Sequence, residues 1–124
     1  MIVGFTLIET LAVMVIVGLL AAITVPQIAK WREKAYITAL KTDARNIGNA
    51  VEAFYVDDQD YPNATEFAAL VAGADVKLNP GNTVYGYGTY DDGNAFVFGV
   101  RSNKTANVAT YRNYRSPTII AYIP

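Results

Sequence analysis

The feature that most constrains this chain is a run from Thr10 to Ala29 with no charged side chain, entered directly from a single carboxylate, Glu9. As a helix, residues 5–29 extend about 37 Å at 1.5 Å per residue, enough for a bilayer core of roughly 30 Å. A stretch this apolar is expected to meet lipid or other copies of itself. A carboxylate within lipid costs about 2.5–3.5 kcal/mol, so Glu9 is expected to have a partner. No basic side chain precedes Lys30. The nearest possible amine is therefore a chain terminus, and a cut after Gly4 would create one at Phe5. A secretory signal peptide would instead have a basic start and a shorter apolar core. A plain transmembrane anchor is the other alternative.

The stretch Gly4-Phe5-Thr6-Leu7-Ile8-Glu9 resembles the processing site of type IV pilins and of their relatives, the type II secretion pseudopilins. The run Leu19 to Pro26 and the stretch Asp58-Gln59-Asp60-Tyr61-Pro62 also fit that family. The resemblance covers roughly the first half of the chain and is weak after about residue 66. It implies that a prepilin peptidase cuts between Gly4 and Phe5 and N-methylates Phe5. It implies a filament core in which Glu9 of one copy attracts the Phe5 amine of the next, with unwinding around Gly18 to Pro26. It also implies an assembly platform in the inner membrane, membrane lipid as the partner before assembly, and a homo-oligomeric helical filament at the cell surface. On this reading residues 1–4 are a leader remnant. Residues 5–29 are the membrane and filament-core segment, and residues 30–124 form the head with the amphipathic half of the helix. A leader of four residues without lysine or arginine is expected to be incomplete or altered. The basic Lys30, Arg32 and Lys34 sit where the positive-inside rule would hold them in the cytoplasm, against the orientation a pilin needs.

Pro26 lacks an amide hydrogen and costs about 3 kcal/mol in a helix interior. Gly18 costs roughly 1 kcal/mol against alanine. The long helix, about residues 5–56, is therefore expected to be interrupted around 18–26. Beyond Lys30, apolar residues recur as Leu40, Ala44, Ile47, Val51 and Phe54, the period of one helical face. Lys41, Asp43, Arg45, Asn49 and Glu52 are expected to fall elsewhere. Asp57, Asp58 and Asp60 oppose the helix macrodipole, and Pro62 confirms a stop.

The fold class expected is α+β: the long helix with a small antiparallel sheet packed on its C-terminal half. A short helix is expected over 63–73, capped by Asn63 or Thr65, and a turn at Asn79-Pro80-Gly81-Asn82. Thr83 to Arg101 reads as a hairpin turning at Asp92-Gly93, pairing Tyr90 with Ala95, Tyr87 with Phe98 and Tyr85 with Val100. Its face of Tyr85, Tyr87, Thr89, Phe96, Phe98 and Val100 is expected to pack on the helix. Ala106 to Arg112 and Thr118 to Ile123 are further strands.

Cysteine and histidine are both absent, which removes disulfides, the usual zinc sites and any His-activated nucleophile. No cofactor and no catalytic residue is expected. Charge alternates along the chain. Residues 30–45 carry five basic and two acidic groups, residues 52–100 carry eight acidic groups against Lys77, and residues 101–124 carry four basic groups and no acid. Such alternation suits stacked subunits, and equally an ordinary mixed surface. Asp57, Asp58 and Asp60 are weak candidates for calcium, which wants oxygen ligands at close spacing. Asn63 and Asn103 head N-glycosylation sequons. The basic residues Arg101, Lys104, Arg112 and Arg115 are a weak candidate for nucleic acid, without a reading motif. The resemblance implies the major pilin of a type IV pilus, for adhesion, motility or DNA uptake. The alternative is the major pseudopilin of a type II secretion system, a group that usually has a calcium loop in its tail.

Overall fold

The computed structural model describes residues 4–73, 76–114 and 116–122; burial and side-chain statements stop at Asn113. Met1 to Val3 of the expected leader, Arg115 of the basic cluster and Ile123 of the last expected strand lie outside the described residues. The order of elements is α1 (Leu7–Asp58), α2 (Ala64–Ala72), β1 (Asn82–Tyr90), β2 (Ala95–Ser102), β3 (Val108–Tyr114) and β4 (Ser116–Tyr122). The chain divides into two compact units, Met1–Lys34 and Ala35–Pro124.

In the first unit, the apolar residues of α1 stand exposed from Leu7 to Ile28. Helix runs unbroken through Gly18 and past Pro26. The interruption expected around 18–26 does not appear in α1, which is helical on both sides of Pro26. The Thr24 hydroxyl donates to the Leu20 carbonyl at 2.8 Å, one turn back, a back-bond that favours a bend in a helix rather than a break.

In the second unit, α1 ends at Asp58 rather than Val56, so Asp57 and Asp58 lie in its last turn. Gln59 terminates it by adopting a left-handed conformation (φ 59°). Its backbone amide donates to the Tyr55 carbonyl at 2.9 Å, and its side-chain amide donates to the Val56 carbonyl at 3.1 Å. Two carbonyls that would otherwise lack partners are thereby satisfied. Helix α2 starts where Asn63 caps it. The Asn63 side chain accepts from the amides of Thr65 and Glu66, and the Asn63 amide donates to Glu66 Oε2 at 2.8 Å, completing a capping box.

The four strands form an antiparallel sheet in sequence order, β1-β2-β3-β4. The β1–β2 register begins as expected, with Tyr90 opposite Ala95, and then slips by one residue at a bulge between Tyr85 and Gly88. Beyond it Tyr85 lies opposite Gly99 and Val84 opposite Val100, not Tyr85 opposite Val100. Gly86 supplies the positive φ (64°) that the bulge uses. A one-residue slip exchanges the two faces of a strand. Val84 and Tyr87 accordingly pack on the core while Tyr85 is 42% exposed. Thr89 is exposed as well. The hairpin loop is four residues, Asp91 to Asn94, not a two-residue turn. Asp91, Asp92 and Gly93 are all left-handed, and the Asn94 amide closes on the Asp91 carbonyl at 3.0 Å.

The core joins Leu40, Ala44, Ile47 and Val51 of α1 to Phe67, Val76, Phe96, Phe98, Val100, Ala109 and Tyr111. Each large apolar side chain buried this way contributes about 1.5–3 kcal/mol. Phe54 is not among them. Instead Gly48 lies on the buried face, against the ring of Tyr111. Asp43 is buried too, contrary to its expected placement, with 1% of its surface exposed.

Candidate processing and assembly site

Helix begins at Leu7, so Gly4, Phe5 and Thr6 are non-helical. The Gly4–Phe5 peptide thus precedes the first helical turn, and all three residues are exposed, Phe5 by 85%. Thr6 is the N-cap. Its hydroxyl accepts from the Glu9 amide at 3.3 Å, and Glu9 Oε2 accepts from the Thr6 amide at 2.8 Å. These reciprocal bonds form a capping box. The Thr6 hydroxyl also donates to Glu9 Oε2 at 2.8 Å. The carboxylate is therefore folded back toward the chain start, where the partial positive charge of the helix favours it. Both carboxylate contacts use Oε2, which leaves Oε1 as an acceptor without a partner among the described residues. Thr6 is thus a partner of Glu9 besides the expected amine, and its signal in the sequence is Thr-x-x-Glu before an apolar run.

The other expected residues scatter. Apart from its own helix backbone, Gly18 has no atom within 4 Å of where a Cβ would sit, so no packing contact among the described residues needs a glycine there. Asp57, Asp58 and Asp60 are exposed, and Asp60 accepts from the Tyr61 amide at 2.9 Å. Among the described residues no group of three or more acidic side chains is arranged to hold a metal ion. Asn63 is committed to its cap, while Asn103 is exposed, its amide bonded to the Gly81 carbonyl at 2.9 Å. Arg101 and Arg112 sit at opposite ends of the β2–β3 ladder. Arg101 lies over Tyr85, and Lys104 lies over Tyr36 with its Nζ 5.8 Å from the ring centre. Among the described residues, Arg101, Lys104 and Arg112 therefore do not form one patch.

Two polar clusters were not anticipated. Asp43 accepts three bonds, from the Asn79 amide at 3.0 Å and from the side-chain amides of Asn79 and Asn82 at 2.7 Å each, pinning the segment before β1 to the helix. Glu52 of α1, Tyr61 and Asn113 of β3 form a second. Asn113 Nδ2 donates to Glu52 Oε1 and, at 2.6 Å, to the Tyr61 hydroxyl, which donates to Glu52 Oε2 at 3.4 Å. Burial, then the Glu52 carboxylate, pushes the Tyr61 hydroxyl up to about 12. Tyr87, whose hydroxyl donates to the Pro62 carbonyl at 2.6 Å, is also pushed up to about 12, first by burial. These contacts join parts of the head and show the geometry of structural ties.

A long N-terminal helix that begins at a capped Thr-Glu pair, with a small antiparallel sheet packed on its later half, defines a pilin-like α+β protein. No family model matches the chain. It is 40% identical over 63 residues to type II secretion system core protein G of Pseudomonas aeruginosa, covering 51% of this chain and 44% of that protein. It is 31% identical over 74 residues to the fimbrial protein of Neisseria meningitidis serogroup A, covering 60% and 44%. With the type IV major pilin protein PilA of Myxococcus xanthus it shares 34% over 68 residues, covering 52% and 31%. The chain's resemblance to the type IV pilin and pseudopilin superfamily thus stands on these relatives as well as on the fold. The aligned region spans less than half the length of each of these three relatives. None of the three names is that of an enzyme.

Proposed function

We propose that the chain is a structural, non-catalytic subunit of a pilin-type filament: the major pilin of a type IV pilus. The observation that carries this is the arrangement at the chain start. A non-helical Gly4–Phe5 bond precedes a capped helix long and apolar enough to cross a membrane, and the Glu9 carboxylate at its start has no partner for Oε1 among the described residues. A prepilin peptidase would cut at that bond and methylate Phe5. Residues 5–29 would hold the subunit in the inner membrane until a platform extracts it. In the filament, Glu9 Oε1 would accept from the Phe5 ammonium of an adjoining copy. Coulomb attraction in such a dry setting is strong, but desolvation consumes much of it, so the pair sets register more than stability. Unwinding near Gly18 and Pro26 would belong to the filament rather than to the free chain.

The second reading, the major pseudopilin of a type II secretion system, is favoured by the identity with core protein G, higher than with the two pilins named above. Shearing cells and imaging the released material separates the two. Long surface fibres built of this chain support the pilus, and protein confined to the envelope supports the pseudopilus. Mass spectrometry of the assembled subunit should find N-methylated Phe5 as its first residue; an intact Met1 there would refute the processing scheme common to both.

A further inference from the structure

The chain contains one tryptophan, Trp31, and it stands 62% exposed on α1 immediately after the uncharged run. Lys30 precedes it and Arg32 follows it, both exposed. At about 100° per residue, the three side chains sweep roughly 200° of the helix circumference. Aromatic and basic side chains at the end of an apolar span are the chemistry of a membrane–water boundary: indole favours the headgroup layer, and cations favour anionic phosphates. Spacing supplies the second observation. Lys30 lies 21 residues beyond Glu9 in one unbroken helix, about 32 Å along its axis. With the usual tilt of about 20°, that becomes roughly 30 Å along the bilayer normal, the thickness of the hydrocarbon core.

We propose that Lys30, Trp31 and Arg32 form a collar that binds anionic phospholipid headgroups and sets the depth of the helix, so that Glu9 lies at the opposite boundary. This rests on the membrane-anchored state in the proposed function. The Glu9 carboxylate then need not enter hydrocarbon at all. Its Thr6-bonded oxygen and its open oxygen both face the headgroup layer, and the charge is kept hydrated until assembly. The costly buried acid suggested by the sequence alone becomes a boundary marker, matched to the collar across the bilayer.

The test uses the full chain reconstituted into phosphatidylcholine vesicles with and without phosphatidylglycerol, reading Trp31 emission against lipids brominated near the headgroup or near the chain end. Shallow bromines should quench Trp31 more than deep ones. Phosphatidylglycerol should shift the emission to the blue, and added salt should reverse that shift. The Lys30→Gln/Arg32→Gln pair should still float with vesicles but lose the response to phosphatidylglycerol. In a Trp31→Phe background, a reporter introduced by Ile8→Trp should be quenched from shallow bromines and one introduced by Leu20→Trp from deep ones. A chain that fails to float with vesicles refutes the anchored state and the collar with it. A chain that floats but shows deep quenching at position 31 or 8, or indifference to phosphatidylglycerol, refutes the collar alone.

Discussion

Removing the carboxylate of Asp43 should weaken the head domain more than any surface charge change. Hydrogen bonds to a charged acceptor contribute about 1.5–3 kcal/mol each, and Asp43 accepts three. Asn79 is exposed and Asn82 partly so; water can therefore replace some of what their donors lose. The net cost of Asp43→Ala is then about 3 kcal/mol, below the roughly 4.5 kcal/mol minimum of that sum because water takes over part of the bonding. For a domain of roughly 60–100 residues each kcal/mol moves Tm by about 4–8 °C, so the expected fall is about 12–24 °C. Asp43→Asn separates the role of charge from that of shape. Oδ2 faces two donors and Oδ1 faces one, the Asn79 side chain. An asparagine can keep its oxygen on the two-donor side and turn its amino group toward Asn79, whose own amide can flip to accept. Asp43→Asn should therefore lose less than Asp43→Ala. Near-ultraviolet circular dichroism of the full chain in detergent, followed through heating, reads the tyrosine-rich head directly. A Tm for Asp43→Ala unchanged from the parent would refute the claim that this carboxylate holds the segment before β1 in place.

The remaining tests probe other ties. Gly48→Ala places a Cβ 2.5 Å from Tyr111 Cζ, in a ring stack with Phe96 and Phe98; urea unfolding should show a loss of about 1–3 kcal/mol from overpacking, outweighing the helix-propensity gain. Tyr61 and Tyr87, both pushed up to about 12, hold their protons more tightly folded than unfolded, where tyrosine titrates near 10. Stability should be full below pH ~10 and fall as pH rises through about 12, and Tyr61→Phe should flatten that fall in urea titrations across the window. Glu9→Gln retains a carbonyl oxygen for the Thr6 cap but removes the charge, whereas Glu9→Ala removes both. If pairing with a terminal amine drives assembly, sheared-filament yield should drop for both variants, and normal yield from Glu9→Gln would refute the charge pairing.

Much of the fold was legible because its cues are local and repeated. The spacing from Leu40 to Val51 gave the buried stripe, and Asn63 or Thr65 as cap placed the start of α2, where the structure has Asn63 as the cap. Asp43 was misplaced because only apolar residues were counted as facing inward. Its position three residues after Leu40 and four before Ile47 already put it on the buried face. What the sequence could not show was that Asn79 and Asn82, far along the chain, would arrive to satisfy it. The register error has a similar origin. A glycine pair at positions 86 and 88 signals a possible bulge, but the choice to slip depends on whether Tyr85 or Tyr87 fits beside Phe67. In the structure Tyr87 stacks on that ring at 3.9 Å between centroids, and Tyr85 is turned outward.

The chain start is the reverse case, since Gly4, Phe5 and Glu9 were singled out from the sequence without the local geometry that ties Glu9 to Thr6. Thr6 and Glu9 were close enough in sequence for a capping box, and the box follows from elementary helix chemistry. It also changes how the acid should be understood. A carboxylate already held by the amide and hydroxyl of Thr6 is pre-oriented toward the terminus, so pairing with a second chain would require less side-chain ordering than a free glutamate would. The cap and the proposed intermolecular bond use different oxygens and do not compete. The same two residues can therefore define where the helix begins in the single chain and where the next subunit meets it in a filament, which gives the local rule and the assembly rule a common origin in four residues of sequence.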